Sequence, residues 1–183
     1  RSRGLGDVYK RQGIFAAYEL AKKAPELKVA VFEAGNSLEK RKCPIDGKKI
    51  KSCINCKTCA IMSGFGGAGA FSDGKYNITN DFGGTLYEYI GKDTAIDLMK
   101  YVDEINLAYG GEGTKMYSTA GTDIKKLCIQ NELKLLDASV RHLGTEINYI
   151  VLENLYKELK EKVEFRFNYR VDELEAVDGG YRV

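Results

Sequence analysis

Residues 13–35 read GIFAAYELAKKAPELKVAVFEAG, a helical pattern followed by a strand pattern. Apolar residues in 13–24 recur with the period of a helix, and Pro25 ends that helix. Residues 28–32 form a short apolar run of the kind found in buried strands, and the run ends at Glu33. The segment therefore predicts a helix that leads directly into one strand of an α/β sheet.

Two residues of this segment match the second half of a βαβ nucleotide-binding unit. Gly13 opens the helix, where the third glycine of G-x-G-x-x-G permits close packing of helix and strand. Glu33 follows 20 residues later, where a carboxylate can accept hydrogen bonds from the ribose hydroxyls of an adenosine. The first two glycines would fall at Val8 and Lys10, and neither residue can replace glycine. An ordinary surface helix followed by an unremarkable strand-end glutamate remains an alternative.

Residues 1–12, RSRGLGDVYKRQ, contrast with the regular helix that follows them. Their second half, DVYKRQ, matches one reading frame of a transposase adapter used in DNA sequencing. We therefore expect residues 1–12 to be an adapter-derived tail, with a plain polar tail as the alternative. At the other end, only three residues follow the turn Asp178-Gly179-Gly180, too few for a stable return strand. Residues 13–183 are thus expected to be a partial domain that is truncated at the C-terminus.

The composition indicates a globular protein and excludes several classes. The 183 residues carry a net charge of +2, which argues against a nucleic-acid partner or a polybasic membrane surface. No apolar run is long enough to span a bilayer. An odd number of cysteines without a secretory signal favours the cytoplasm. The 20 glycines against 2 prolines suggest contacts between backbone and ligand rather than a disordered linker.

The remaining pattern predicts a loop-rich and helical insertion. Residues 34–85 have little periodicity and are expected to be loop-rich. Helices are predicted around residues 96–105, from Asp123 to about Leu136, and from Thr145 to Leu159. A strand returns at residues 163–167, and residues 171–177 are also compatible with a strand.

A glycine-rich segment connects this layout with a known family. Residues 62–75 read MSGFGGAGAFSDGK, and so many small residues let backbone N–H groups contact phosphates or a flat ring. With Glu33-Ala34-Gly35 and Glu39-Lys40-Arg41, the segment resembles bacterial FAD-dependent dehydrogenases, the NAD(P)/FAD-dependent oxidoreductases of the glutathione-reductase-like Rossmann superfamily. Residues 141–145 and 167–172 also look like family elements.

The resemblance implies an incomplete Rossmann-like FAD-binding domain that lacks its first strand and phosphate loop. Full-length protein would be an FAD-dependent oxidoreductase with NAD(P)H as a candidate electron partner, whereas this fragment would bind FAD poorly and be inactive. Its substrate and catalytic residues stay open, because a flavin supplies its own hydride chemistry. The residues implied to contact FAD are Gly13, Glu33, Ala34, Arg41, Gly66, Gly67, Ala68, Gly69, Ser72, Asp73, Lys75 and Val171.

The roles within that set differ. Glu33 would hold the adenosine ribose, and Arg41 would approach the phosphates or the ribose. Residues 66–69 would line the pyrophosphate and the flavin, while Val171 would offer backbone groups to adenine. Ser72, Asp73 and Lys75 would lie towards the isoalloxazine ring, although Asp73 also fits a plain turn and Lys75 a solvated side chain.

Four cysteines form a second candidate site. Cys43, Cys53, Cys56 and Cys59 follow the spacing C-x9-C-x2-C-x2-C, and four thiolates can hold zinc or a [4Fe–4S] cluster. Reduced loop thiols are the alternative. An iron–sulfur cluster would open a route for single electrons to or from the flavin.

Two other functions remain open at this point. The cysteine cluster could make the chain a zinc or iron–sulfur binding module, with the sheet as scaffold. A flavin-dependent tRNA-modification protein of the same superfamily is a further alternative, although the near-neutral charge does not favour it. The chain's one histidine, His142, fits a structural role, and its neighbour Arg141 could face an anionic ligand.

Overall fold

The computed structural model describes residues 11–183 as a mixed arrangement of helices and short strands. The expectations for residues 1–10, including Val8 and Lys10, lie outside these described residues. Arg11 is buried at the start of the first helix. In chain order the elements are α1 (Gln12–Lys23), β1 (Val29–Glu33), β2 (Lys75–Ile78), α2 (Tyr87–Ile90), α3 (Lys92–Asn106), β3 (Met116–Ser118), α4 (Ile124–Gln130), β4 (Ser139–His142), α5 (Gly144–Leu159), β5 (Val163–Phe167), β6 (Glu175–Val177) and β7 (Gly180–Arg182).

The described residues divide into two compact units. We call residues 11–70 together with 155–183 the parallel-sheet unit, and residues 71–154 the inserted unit. Within the described range, no helix is both long enough and apolar enough to cross a membrane.

The parallel-sheet unit is built on β1 and β5, which pair in parallel. Val29 lies opposite Val163, and Glu33 lies opposite Phe167 at the carboxyl end of both strands. Helix α1 packs near β1 and buries Ile14 and Ala17. The predicted helix and both predicted strands are confirmed, and the pairing places Glu33 at the edge where parallel sheets bind ligands.

Aromatic side chains join the glycine-rich segment to this sheet. The ring of Phe65 lies 4.8 Å from that of Tyr156 and 5.6 Å from that of Phe165, measured between centroids. Phe165 in turn stacks on Phe167 at 5.8 Å. Because Phe65 is only 3% exposed, burial of its ring fixes the position of the glycine residues beside it.

The inserted unit contains a small antiparallel sheet that the sequence pattern did not predict. Its strand order is β2-β4-β3, with Tyr76 and Met116 on either side of Arg141. Residues 34–85 were expected to be loop, and residues 96–159 to be mainly helical. Strands of three or four residues are too short for a clear alternation of apolar and polar positions, so the sequence did not reveal them.

The predicted helices of this region are confirmed, with changed ends. Helix α3 already begins at Lys92, and α4 ends at Gln130 rather than near residue 136. Helix α5 begins at Gly144 and contributes residues to both units.

The C-terminal residues form a hairpin, contrary to the expectation that the chain is too short for a return strand. Strands β6 and β7 pair from Glu175–Arg182 to Val177–Gly180, leaving Asp178 and Gly179 as a two-residue turn. Gly179 has a φ of +82°, which such a turn favours. Arg182 also pairs with Glu175 at 2.7 Å. Strand character is limited to residues 175–177 of the segment 171–177.

A buried ion pair organises the inserted unit. Arg141 on β4 donates to both carboxylate oxygens of Asp103 on α3, over 2.6 and 2.8 Å. A third bond runs from the Arg141 guanidinium to the carbonyl oxygen of Thr114, at 2.7 Å. Both charged side chains are less than a tenth exposed. Arg141 therefore joins a helix to a sheet here, whereas the sequence had suggested that it faces an anionic ligand.

We expect Arg141→Met to lower the free energy of unfolding by about 3–5 kcal/mol, because Asp103 would keep a buried charge without its partner. Urea denaturation followed by circular dichroism measures this. Arg166→Met is the matched control: it removes an exposed ion pair with Glu164 and should cost less than about 1 kcal/mol. Equal losses in the two variants would contradict the role given to Arg141.

Candidate functional site at the end of strand β1

The carboxylate of Glu33 binds two backbone N–H groups. Its Oε1 accepts hydrogen bonds from Gly35 and from Gly64, each over 2.8 Å. Gly35 immediately follows β1, whereas Gly64 belongs to the glycine-rich segment. Two motifs that the sequence places about 30 residues apart are thus joined at one carboxylate oxygen.

The backbone is packed so closely here that two positions require glycine. A Cβ atom on Gly35 would lie 2.4 Å from the backbone nitrogen of Gly64. Gly64 has a φ of +116°, and a Cβ on it would lie 2.6 Å from the Arg41 side chain. Contacts within the protein therefore account for these two glycines without any ligand.

The guanidinium of Arg41 is surrounded by backbone carbonyl groups. It donates to the carbonyl oxygens of Ala60, Ile61, Phe65 and Gly67 over 2.7–2.9 Å. Its pKa is lowered by burial, an effect that the charges of Glu33 and Cys59 oppose. The resemblance implied contact with phosphates or ribose, but the geometry assigns these donors to holding residues 60–67 in place.

The start of helix α1 also reaches the glycine-rich segment. The buried side chain of Arg11 donates to the carbonyl oxygen of Gly69 over 3.0 Å. Gly13, the second residue of the helix, is exposed, and an added Cβ would meet no described atom within 4 Å. Close packing of helix and strand therefore does not explain glycine at this position within the described residues.

The other predicted FAD contacts are divided between the two units. Ala34 and residues 66–69 belong to the parallel-sheet unit, where Gly66 and Gly67 have φ values of +83° and +57°. Val171 belongs to the same unit, is exposed and lies outside any strand.

The predicted contacts to the isoalloxazine ring belong to the inserted unit. Asp73 and Lys75 form an exposed ion pair at 2.7 Å, which lowers the pKa of Asp73. The hydroxyl of Ser72 accepts the N–H of Gly74 at 3.3 Å. These bonds match the turn and the solvated lysine that the sequence left as alternatives.

The four cysteines of the candidate metal site lie along one loop. Cys43 and Cys59 are half-buried, whereas Cys53 and Cys56 are exposed. Within residues 11–183, no group of three or more His, Cys, Asp or Glu side chains is arranged to hold a metal ion.

The inserted unit contains a cleft of about 550 Å³ that no sequence pattern indicated. Hydrogen bonds shape its wall: Thr79 donates to the carbonyl oxygen of Asp137 at 2.7 Å, and Asp81 accepts the N–H of Asp137 at 3.2 Å. The hydroxyls of Ser118 and Ser139 lie 2.9 Å apart on another part of the wall. The lining comes from separate segments without a common motif, so only the fold brings it together.

Comparison of the chain with protein-family models, with curated proteins and with solved structures gives no match. Interpretation of the site therefore depends on its residues and their geometry.

The two kinds of glycine can be separated by substitution. We expect Gly35→Ala to lower the free energy of unfolding by about 2 kcal/mol or more, because its Cβ meets backbone that must shift. Gly13→Ala should raise it by up to about 1 kcal/mol, because alanine favours an exposed helix and meets nothing there. Thermal denaturation of both variants checks this. A loss of stability in Gly13→Ala would contradict the open surroundings that the structure gives to this position.

Arg41→Lys should lower the free energy of unfolding by about 2–4 kcal/mol, because an ammonium group cannot reach all four carbonyl oxygens that the guanidinium binds. Chemical denaturation measures the loss. Arg170→Lys is the matched control, since Arg170 forms an exposed pair with Asp172. If both substitutions cost the same, the carbonyl bonds of Arg41 contribute no special stability.

Proposed function

We propose that the chain is part of an FAD-dependent oxidoreductase, a dehydrogenase with a Rossmann-like FAD-binding domain. One observation carries the proposal: the bonds of Glu33 hold the carboxyl end of a parallel strand against the glycine-rich segment. A carboxylate at such a strand end is the group that binds adenosine ribose in dinucleotide-binding folds. The substrate remains open.

Neighbouring residues support a dinucleotide at this position. Oε1 of Glu33 already accepts two backbone N–H groups, so the ribose hydroxyls would donate to Oε2. The N-terminal end of α1 reaches the glycine-rich segment through Arg11 and Gly69, and the partial positive charge of a helix N-terminus favours phosphate. These features fit the adenosine diphosphate half of FAD.

The residues of the chain would bind and orient the cofactor. Glu33 would fix the ribose, and Arg41 would keep residues 60–67 in the shape that lets Gly64 contact Glu33. Bound FAD would supply the hydride or electron transfer itself.

Protein expressed from the complete open reading frame should be yellow and show flavin absorption. In that protein, Glu33→Gln should weaken FAD binding about tenfold or more, because the amide nitrogen that replaces Oε2 only donates and cannot accept the hydrogen bonds of the ribose hydroxyls. Glutamine keeps an oxygen for the two backbone N–H groups, so the fold should survive. Titration followed by flavin fluorescence measures the dissociation constant.

Glu164→Gln provides the control for loss of one negative charge, because Glu164 is an exposed residue of the neighbouring strand β5. Its FAD affinity should equal that of the unaltered protein. A colourless, well-folded full-length protein would refute the proposal, and so would equal effects of the two substitutions.

A further inference from the structure

The cysteine loop of the parallel-sheet unit, residues 43–59, has features that the proposed flavin chemistry does not use. We propose that Cys43, Cys53, Cys56 and Cys59 bind one [4Fe–4S] cluster. The spacing, one backbone hydrogen bond, the anchoring of the loop ends and the local charge each support this site.

The spacing favours a cluster over zinc. Tetrahedral zinc sites are typically built from two separated pairs of ligands. Here three cysteines follow one another with two-residue gaps, and the fourth, Cys43, is distant and is followed by Pro44. A C-x2-C-x2-C run together with a Cys-Pro pair is also found in [4Fe–4S] ferredoxins, although in this chain the Cys-Pro pair precedes the run, whereas in ferredoxins it follows the run.

The turn between Cys53 and Cys56 already directs a backbone donor at sulfur. The N–H of Asn55 donates to Sγ of Cys53 over 3.4 Å. Asn55 has a φ of +51°, a left-handed conformation that asparagine tolerates better than most residues. Hydrogen bonds to ligand sulfur atoms are among the interactions that set the potential of iron–sulfur clusters.

Both ends of the loop are anchored near Arg41. Cys43 follows Arg41 by two residues, and Arg41 binds the carbonyl oxygens of Ala60 and Ile61 directly after Cys59. The carbonyl oxygen of Cys59 accepts N–H groups of Met62 and Ser63. The outer ligands therefore start from fixed backbone, whereas Cys53 and Cys56 are exposed and would close on the cluster as it assembles.

The spacer between Cys43 and Cys53 is itself ordered. One oxygen of Asp46 accepts the N–H groups of Lys48, Lys49 and Ile50 over 2.8–2.9 Å. This closes a tight turn and shortens the path between the two cysteines.

The local charge suits the cluster. Four thiolates give a [4Fe–4S] centre a net charge of about −2 in its oxidised state and −3 after one-electron reduction. Exposed lysines are spread along the same loop and its start, where their positive charge offsets that of the cluster; they are Lys42, Lys48, Lys49, Lys51 and Lys57.

Anaerobic reconstitution of the 183-residue chain with ferrous iron and sulfide tests the site. We expect about four iron and four acid-labile sulfide atoms per chain, with the broad visible absorption of a cluster. Dithionite should donate one electron to the oxidised cluster and produce an electron paramagnetic resonance signal. This assay does not involve FAD, so its outcome is separate from that of the proposed function.

Cys53→Ala and Cys56→Ala should each lower bound iron by about half or more, and neither should alter the fold because both side chains are exposed. The matched control is Cys128→Ala, which removes the cysteine on α4 in the inserted unit and should keep full iron content. Zinc in place of iron under competition, no stoichiometric metal, or equal loss in all three variants would overturn the cluster.

Discussion

The glycine-rich segment is held between a cation and an anion that bind opposite kinds of backbone group. The guanidinium of Arg41 donates hydrogen bonds to carbonyl oxygens on both sides of Gly64. The carboxylate of Glu33 accepts a hydrogen bond from the N–H of Gly64 itself. Because adjacent peptide groups must point in different directions to satisfy both charges, the backbone needs the positive φ that Gly64 supplies. The shape of the candidate site depends on this arrangement.

This arrangement also explains why a charged group is stable in a buried position. Removing a guanidinium from water is costly, and the hydrogen bonds to several carbonyl oxygens offset that cost. The ring of Phe65, packed among Tyr156 and Phe165, holds one of the accepting carbonyl groups in place. Arginine fits because its donors lie in one plane and diverge, which a lysine ammonium cannot reproduce.

The elements that the sequence predicted correctly are those with enough residues to show a period or an uninterrupted apolar run. Helix α1 and the strands β1 and β5 meet that condition, and they place Glu33 where the pattern had put it. The strands β2, β3 and β4 do not, because three or four residues carry almost no periodic signal. The sequence shows that Arg41 carries a positive charge, but it does not show the direction in which the side chain extends. Its carbonyl partners could therefore not be predicted.

Two of the glycines in and beside this segment have a cause that does not involve a ligand. Gly35 and Gly64 are required by contacts within the protein, since a Cβ at either position would collide with it. The guanidinium of Arg41, which lies beside Gly64, likewise donates its hydrogen bonds to backbone carbonyl groups. The proposed dinucleotide site therefore depends on the second oxygen of Glu33 and on the N-terminal end of α1, which reaches the same segment through Arg11 and Gly69. A bound dinucleotide would meet both of these features, because it carries ribose hydroxyls and phosphate in one molecule.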